Sequence, residues 1–243
     1  MKTRNYFHLA IAILLFSACG KDPVTRPVKF TSTTYETLST YNTQGKPDNL
    51  LKDTLSPALL NFIDTLLPNG VNLPNRHPEL FKNPAIGDIT ITQPSTVYIT
   101  FVSQGGANNN AIAFYTYPTS QPPTSSKDIK TITYFFPSAG HLTPLVAGDK
   151  VNIGNFSAGT SIGFVLMEDA WQPSKSSLNN DAVHFCTNDA LNPEVDPNLK
   201  KHAVLIYYAP QKIVLIGFED FNRTSPDCDN DFNDAVIYAT VTN

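Results

Sequence analysis

Apolar residues follow two different rhythms along this chain. Leu50, Leu51, Leu55, Leu59, Leu60, Ile63, Leu66 and Leu67 recur at intervals of three and four, the period of one face of a helix. Ser56-Pro57 supplies an N-cap followed by proline in the first turn, and Pro68-Asn69-Gly70 ends the run, so the spacing predicts an amphipathic helix over 57–67. After Pro84 the period falls to two. Runs at 86–101, 111–117, 130–136, 150–156, 160–168, 182–186, 202–208, 212–218 and 235–241 read as strands, separated by turn signals such as Gly105-Gly106 and Ala147-Gly148-Asp149. About nine short strands in this order predict an all-β fold, an antiparallel, jelly-roll-like β-sandwich with one short N-terminal amphipathic helix. The predicted sandwich spans 83–243, and 48–82 is its helical lead-in.

The N-terminal residues have another character. Lys2 and Arg4 precede an apolar run, Leu9 to Phe16, that is shorter than the ~20 residues needed to cross a bilayer. It ends in Ser17-Ala18-Cys19-Gly20, small residues before a cysteine, as in a bacterial lipoprotein signal, although Phe16 replaces the usual smaller aliphatic residue. Residues 1–18 are therefore read as a leader and Cys19 as the lipidated mature N-terminus, a tether to the outer membrane on its periplasmic or surface face. Residues 19–47, rich in Thr, Ser, Asn and Pro without apolar periodicity, read as a flexible spacer.

Composition narrows the function. Charged residues make up only 16 % of the 243 positions and the net charge is −4, with no basic cluster that could serve nucleic acid. Export leaves Cys186 and Cys228 in an oxidising compartment, where a disulfide between them is the simplest use of the pair and two buried thiols the alternative.

Against this sparse charge, Gly217 to Asp234 holds Glu219, Asp220, Asp227, Asp229, Asp231 and Asp234, six of the chain's 21 acidic residues. Carboxylates this dense repel one another unless a cation or hydrogen-bond donors lie between them. Asp227, Asp229 and Asp231 have the spacing of the first ligands of an EF-hand, but Phe232 stands where that loop needs glycine and Tyr238 where it needs glutamate. Further ligands must come from Asp234 or from Glu219-Asp220, which a hairpin between the last two strands would bring together. All-oxygen donors favour calcium over zinc, whose nitrogen and sulfur ligands are missing here, and over magnesium, which rarely takes an all-protein carboxylate cage.

Two other motifs carry less. Gly159-Thr160-Ser161-Ile162-Gly163 matches G-x-S-x-G, but strand pattern follows it where a hydrolase needs a helix. Trp171, the only tryptophan, follows Glu168-Asp169 at the end of a strand and is a candidate platform for stacking a sugar, or a packing residue beneath a loop.

Taken in order, several segments resemble an uncharacterised domain family of secreted bacterial proteins. They are Gly148-Asp149-Lys150-Val151, Gly159 to Phe164, Glu168-Asp169-Ala170-Trp171, Ala190 to Glu194, and the ending Gly217-Phe218-Glu219-Asp220 … Asp229-Asn230-Asp231-Phe232-Asn233-Asp234. From residue 55 onward, Asn75 to Leu80 included, the chain resembles the lipoprotein form found in Bacteroidetes. The resemblance implies a β-sandwich with a calcium site in the acidic ending, and Asp169 and Glu194 join the loop acids as outlying ligand candidates. The function expected is that of a lipid-anchored, calcium-binding surface module for adhesion, with a glycan or a surface protein as partner. A carbohydrate-active hydrolase and a structural subunit of a surface assembly are the alternatives.

Overall fold

The computed structural model describes residues 28–82 and 87–243. The leader and Cys19 lie outside the described residues. Fourteen strands and two α-helices follow in the order β1 (Thr34–Thr37), β2 (Leu51–Lys52), α1 (Pro57–Leu66), α2 (Leu73–Arg76), β3 (Ile89–Ile91) and β4 (Ser95–Ser103). Next come β5 (Ala111–Pro118), β6 (Thr131–Phe136), β7 (Asp149–Phe156), β8 (Thr160–Met167), β9 (Trp171–Gln172), β10 (Ser177–Leu178) and β11 (His184–Cys186). The chain finishes with β12 (Ala203–Tyr208), β13 (Ile213–Phe218) and β14 (Ala235–Thr242).

These strands build a sandwich of two six-stranded sheets. One runs β1-β6-β5-β8-β11, with β3 also paired to β8; the other runs β12-β13-β14-β4-β7-β2. The predicted strand over 86–101 is divided at Gln93-Pro94, because proline cannot donate to a ladder, and β3 and β4 go to opposite sheets. Inward-facing residues of both sheets, among them Ile99, Phe136, Phe164, Leu166, Ile216 and Ile237, fill the space between them. Each fully buried side chain of this kind contributes roughly 1.5–3 kcal/mol.

Both outer faces are covered as well. Helix α1 lays Leu59, Ile63 and Leu67 on Val204, Leu215, Val236 and Tyr238. Ser56 caps it by accepting the Leu59 N–H at 3.2 Å, as its position before Pro57 predicts. On the opposite face Phe30, Ile129, Ala170 and Leu191 cover Ala113, Tyr115, Val165 and Cys186. Among the described residues no helix is long and apolar enough to cross a membrane.

The spacer expected over 19–47 is corrected from Val28 on. Strand β1 pairs with β6 in parallel, Thr34 opposite Thr131 through Thr37 opposite Tyr134, and Tyr41 bridges Pro47. Its polar composition reflects an edge strand with mostly exposed side chains.

Two further expectations fail for reasons of packing. Trp171 is only 2 % exposed, with Tyr41 set edge-on to its ring at 5.7 Å and Gly45 against its six-membered ring, so it offers no stacking platform. Cys186 and Cys228 are free thiols. Strand alternation sends Phe185 inward between the sheets and Cys186 to the outer face, whereas the Cys228 thiol lies against Glu219.

Candidate metal centre

The acidic stretch connects β13 to β14, whose pairing runs from Ile213 opposite Thr240 to Phe218 opposite Ala235. That register forces the two ends of the loop together. Asp234 N donates to Phe218 O at 3.1 Å, and Asp220 N donates to Asp234 Oδ2 at 2.8 Å. The tip of the loop folds back over them. Asp231 N reaches Asp229 Oδ1 at 3.4 Å, Asn233 N reaches Asp231 Oδ1 at 3.1 Å, and Asn230 and Phe232 both adopt φ of 59° to make the reversal.

Two groups of carboxylates result, Glu219 with Asp220 and Asp234, and Glu219 with Asp229 and Asp231. Within each, the oxygens that could bind an ion lie within 4.8 Å of one another. Glu219 belongs to both. It is 1 % exposed, and its Oε2 has no hydrogen-bond partner among the described residues.

Two other carboxylates away from solvent, the buried Asp149 and the half-buried Asp88, are provided for. Asp149 accepts the Val146 N–H at 3.0 Å and is paired with Lys52; Asp88 accepts from Tyr117 Oη at 2.8 Å and from Thr187. The hairpin acids accept hydrogen bonds, but none of them is paired with a basic side chain among the described residues. The hairpin's one basic residue, Arg223, donates Nε to Asn230 Oδ1 at 2.6 Å and Nη1 to Lys201 O at 2.9 Å, with its guanidinium over the Phe81 and Phe232 rings. It braces the loop and leaves the carboxylates unneutralised.

Burial and mutual repulsion together hold these acids toward their protonated forms. Burial first, then Asp220 and Glu219, push Asp234 up to about 9. Burial and the charges of Asp229 and Asp220 push Glu219 up to about 7, while Asp220 and Asp231 are raised mainly by burial. A divalent cation reverses that preference, because it favours every ionised oxygen around it. The donor set is all oxygen and crowded, of the kind hard divalent cations take.

A third wall comes from far away in sequence. The run Gly105-Gly106-Ala107-Asn108-Asn109-Asn110 links β4 to β5 and lies over the first group. Asn110 Nδ2 donates to Asp220 Oδ2 at 2.5 Å. A Cβ on Gly106 would stand 2.6 Å from Asp220 Oδ2 and 3.0 Å from Asp234 Oδ1, so glycine is what lets the backbone approach. Only the two glycines and three asparagines, unusual between two strands, could have signalled this wall in advance.

The remaining candidates fall outside both groups. Asp227 is exposed at the loop tip. Asp169, at φ 48°, accepts the Asn109 N–H at 3.1 Å and so holds the 105–110 wall. Glu194 lies beside His202. Glu168, which no sequence signal singled out, is pushed up to about 7 by burial and by the charges of Asp220, Asp169 and Glu194.

Comparison with protein families gives one match. Residues 156–242 fit the model described as Domain of unknown function (DUF4114). The match covers β8 to β14 and every acid of the two groups, but not the 105–110 wall, nor β4 and β5, with which β14 and β8 pair. The sandwich is thus completed by residues upstream of the matched segment. Comparisons with curated proteins and with solved structures returned no match.

Proposed function

We propose that this chain is a calcium-binding β-sandwich module of the bacterial cell envelope, held to the outer membrane by lipid on Cys19, and that it binds a partner rather than catalysing a reaction. The observation carrying the proposal is Glu219, a buried carboxylate with an unpartnered oxygen that belongs to two oxygen-rich groups at once. A buried acid so placed is stable as an anion only beside a cation. In this reading Asp220 and Asp234 hold one calcium ion with Glu219, and Asp229 and Asp231 hold a second. Loaded, the ions tie the β13–β14 loop to the end of the sandwich, and binding adds to folding stability by linkage.

The partner is read as a glycan or a surface protein on the strength of the exported, tethered architecture. The hydrolase alternative has lost its stacking platform, since Trp171 is enclosed. Thermal unfolding of the purified chain, with calcium and with chelator, tests the metal reading. The midpoint rises with calcium in the wild type, and the rise shrinks in the double variant Asp229→Asn, Asp231→Asn. An unchanged wild-type midpoint refutes it.

A further inference from the structure

A second kind of unsatisfied buried chemistry lies beyond these two groups. His202 precedes β12, and Glu194 sits in the loop before it; both side chains are fully buried. His202 Nδ1 is 3.0 Å from the backbone carbonyl of Glu219, an atom that can only accept, so Nδ1 carries the hydrogen. In the neutral ring Nε2 then presents a lone pair. Stacking on Phe185, with centroids 3.9 Å apart and planes at 12°, fixes the direction of that lone pair.

Nε2 stands 2.9 Å from Glu194 Oε1, but the approach is not directed as a hydrogen bond requires. Neither Glu194 oxygen nor His202 Nε2 has a hydrogen-bond partner among the described residues. A fully buried carboxylate with both oxygens bare, facing an imidazole lone pair, is a costly arrangement without a positive charge between them. Two ligands, each about 2.1 Å from a tetrahedral ion, stand about 3.4 Å apart, so the pair would open by roughly half an ångström to take one.

We propose that Glu194 and His202 bind a divalent transition-metal ion of the zinc class. The mixed nitrogen and oxygen donors separate this position from the two all-oxygen groups, since calcium takes oxygen ligands and zinc takes imidazole and carboxylate. A cleft of about 230 Å³ lined by Glu168, Phe185, Pro193 and Asn222 comes up to the neighbours of the buried pair. Phe185 is the residue stacked on His202, and Pro193 adjoins Glu194. Water from the cleft completes the coordination. The Nδ1–H bond to the Glu219 carbonyl is the outer contact that orients a metal-binding histidine.

The inference is independent of calcium at the hairpin, and its test keeps the two apart. The purified chain, stripped with chelator and kept in excess calcium, is titrated with cobalt(II) as a visible probe of zinc sites. One cobalt ion per chain is expected, with the d–d absorption of a histidine-ligated ion, displaced by zinc. Glu194→Gln, nearly isosteric, weakens cobalt binding at least about tenfold and leaves the calcium-dependent rise in melting temperature in place, which also shows that the variant folds. His202→Gln abolishes the histidine signature. A wild-type chain that binds no cobalt in excess calcium, or a Glu194→Gln chain that binds it as well as wild type, overturns the proposal and leaves the pair as a buried imidazolium–carboxylate contact.

Discussion

Gly70 donates its backbone N–H to Asp231 Oδ2 at 2.7 Å, joining the turn after α1 to the acidic loop across 161 positions of sequence. Leu73 N adds a bond to Asn230 O at 2.8 Å, and Asn233 Nδ2 reaches Leu67 O at 3.4 Å. The helix that covers one face of the sandwich and the loop that gathers the carboxylates are therefore one mechanical unit. Asp231→Ala leaves two backbone donors, the N–H groups of Gly70 and Asn233, without their partner and is expected to cost about 1–3 kcal/mol in chelator. Urea unfolding measures it, and the loss is larger in calcium because a ligand has gone as well.

The chelated protein should lose stability as pH rises. Unfolded, Glu219 and Asp234 titrate near 4.5 and 3.8; folded, they are pushed up to about 7 and about 9. A raised carboxyl contributes stability that is complete below its unfolded value and is lost as pH passes through the folded one. Melting temperature in chelator is therefore expected to fall between about pH 4 and pH 9. Calcium, which favours the ionised forms, flattens or reverses the slope. A chelated protein whose stability climbs over this range contradicts the crowding described here.

Gly106→Ala places a methyl group against Asp220 Oδ2 and Asp234 Oδ1, where the first ion would sit. Calcium binding at that group should fall sharply with little change in the fold measured in chelator. Gly87→Ala, which meets nothing within 4 Å, is the matched control and should bind as wild type.

Trp171→Ala should act on stability and not on recognition. Its ring is buried beneath Tyr41 and Gly45, so truncation is expected to cost about 3–5 kcal/mol in chemical unfolding. Selective loss of glycan binding with unchanged stability would contradict the packing role.

The all-β sandwich could be read from the chain because period-two runs and a well-marked helix stop and start at residues with specific backbone chemistry. Ser56-Pro57 begins α1, and the runs before Glu219 and after Asp234 fix the hairpin that joins those acids. Residues 28–47 read as a spacer because an edge strand such as Thr34–Thr37 exposes its side chains and carries no apolar period. The cover over Trp171 is hidden for the same reason, since Tyr41 and Gly45 supply it from this segment. The Asn110 and Gly106 wall depends on segments meeting across the end of the sandwich, which no local pattern encodes. Cys186 and Cys228 stayed apart because strand alternation turns Cys186 away from the hairpin.

Calorimetric titration of the chelator-stripped chain with calcium tests the central claim most directly. Two calcium ions per chain are expected, one at each group around Glu219, with one remaining in the Asp229→Asn, Asp231→Asn double variant and the other lost. A stripped, folded wild-type chain that takes up no calcium would contradict the account.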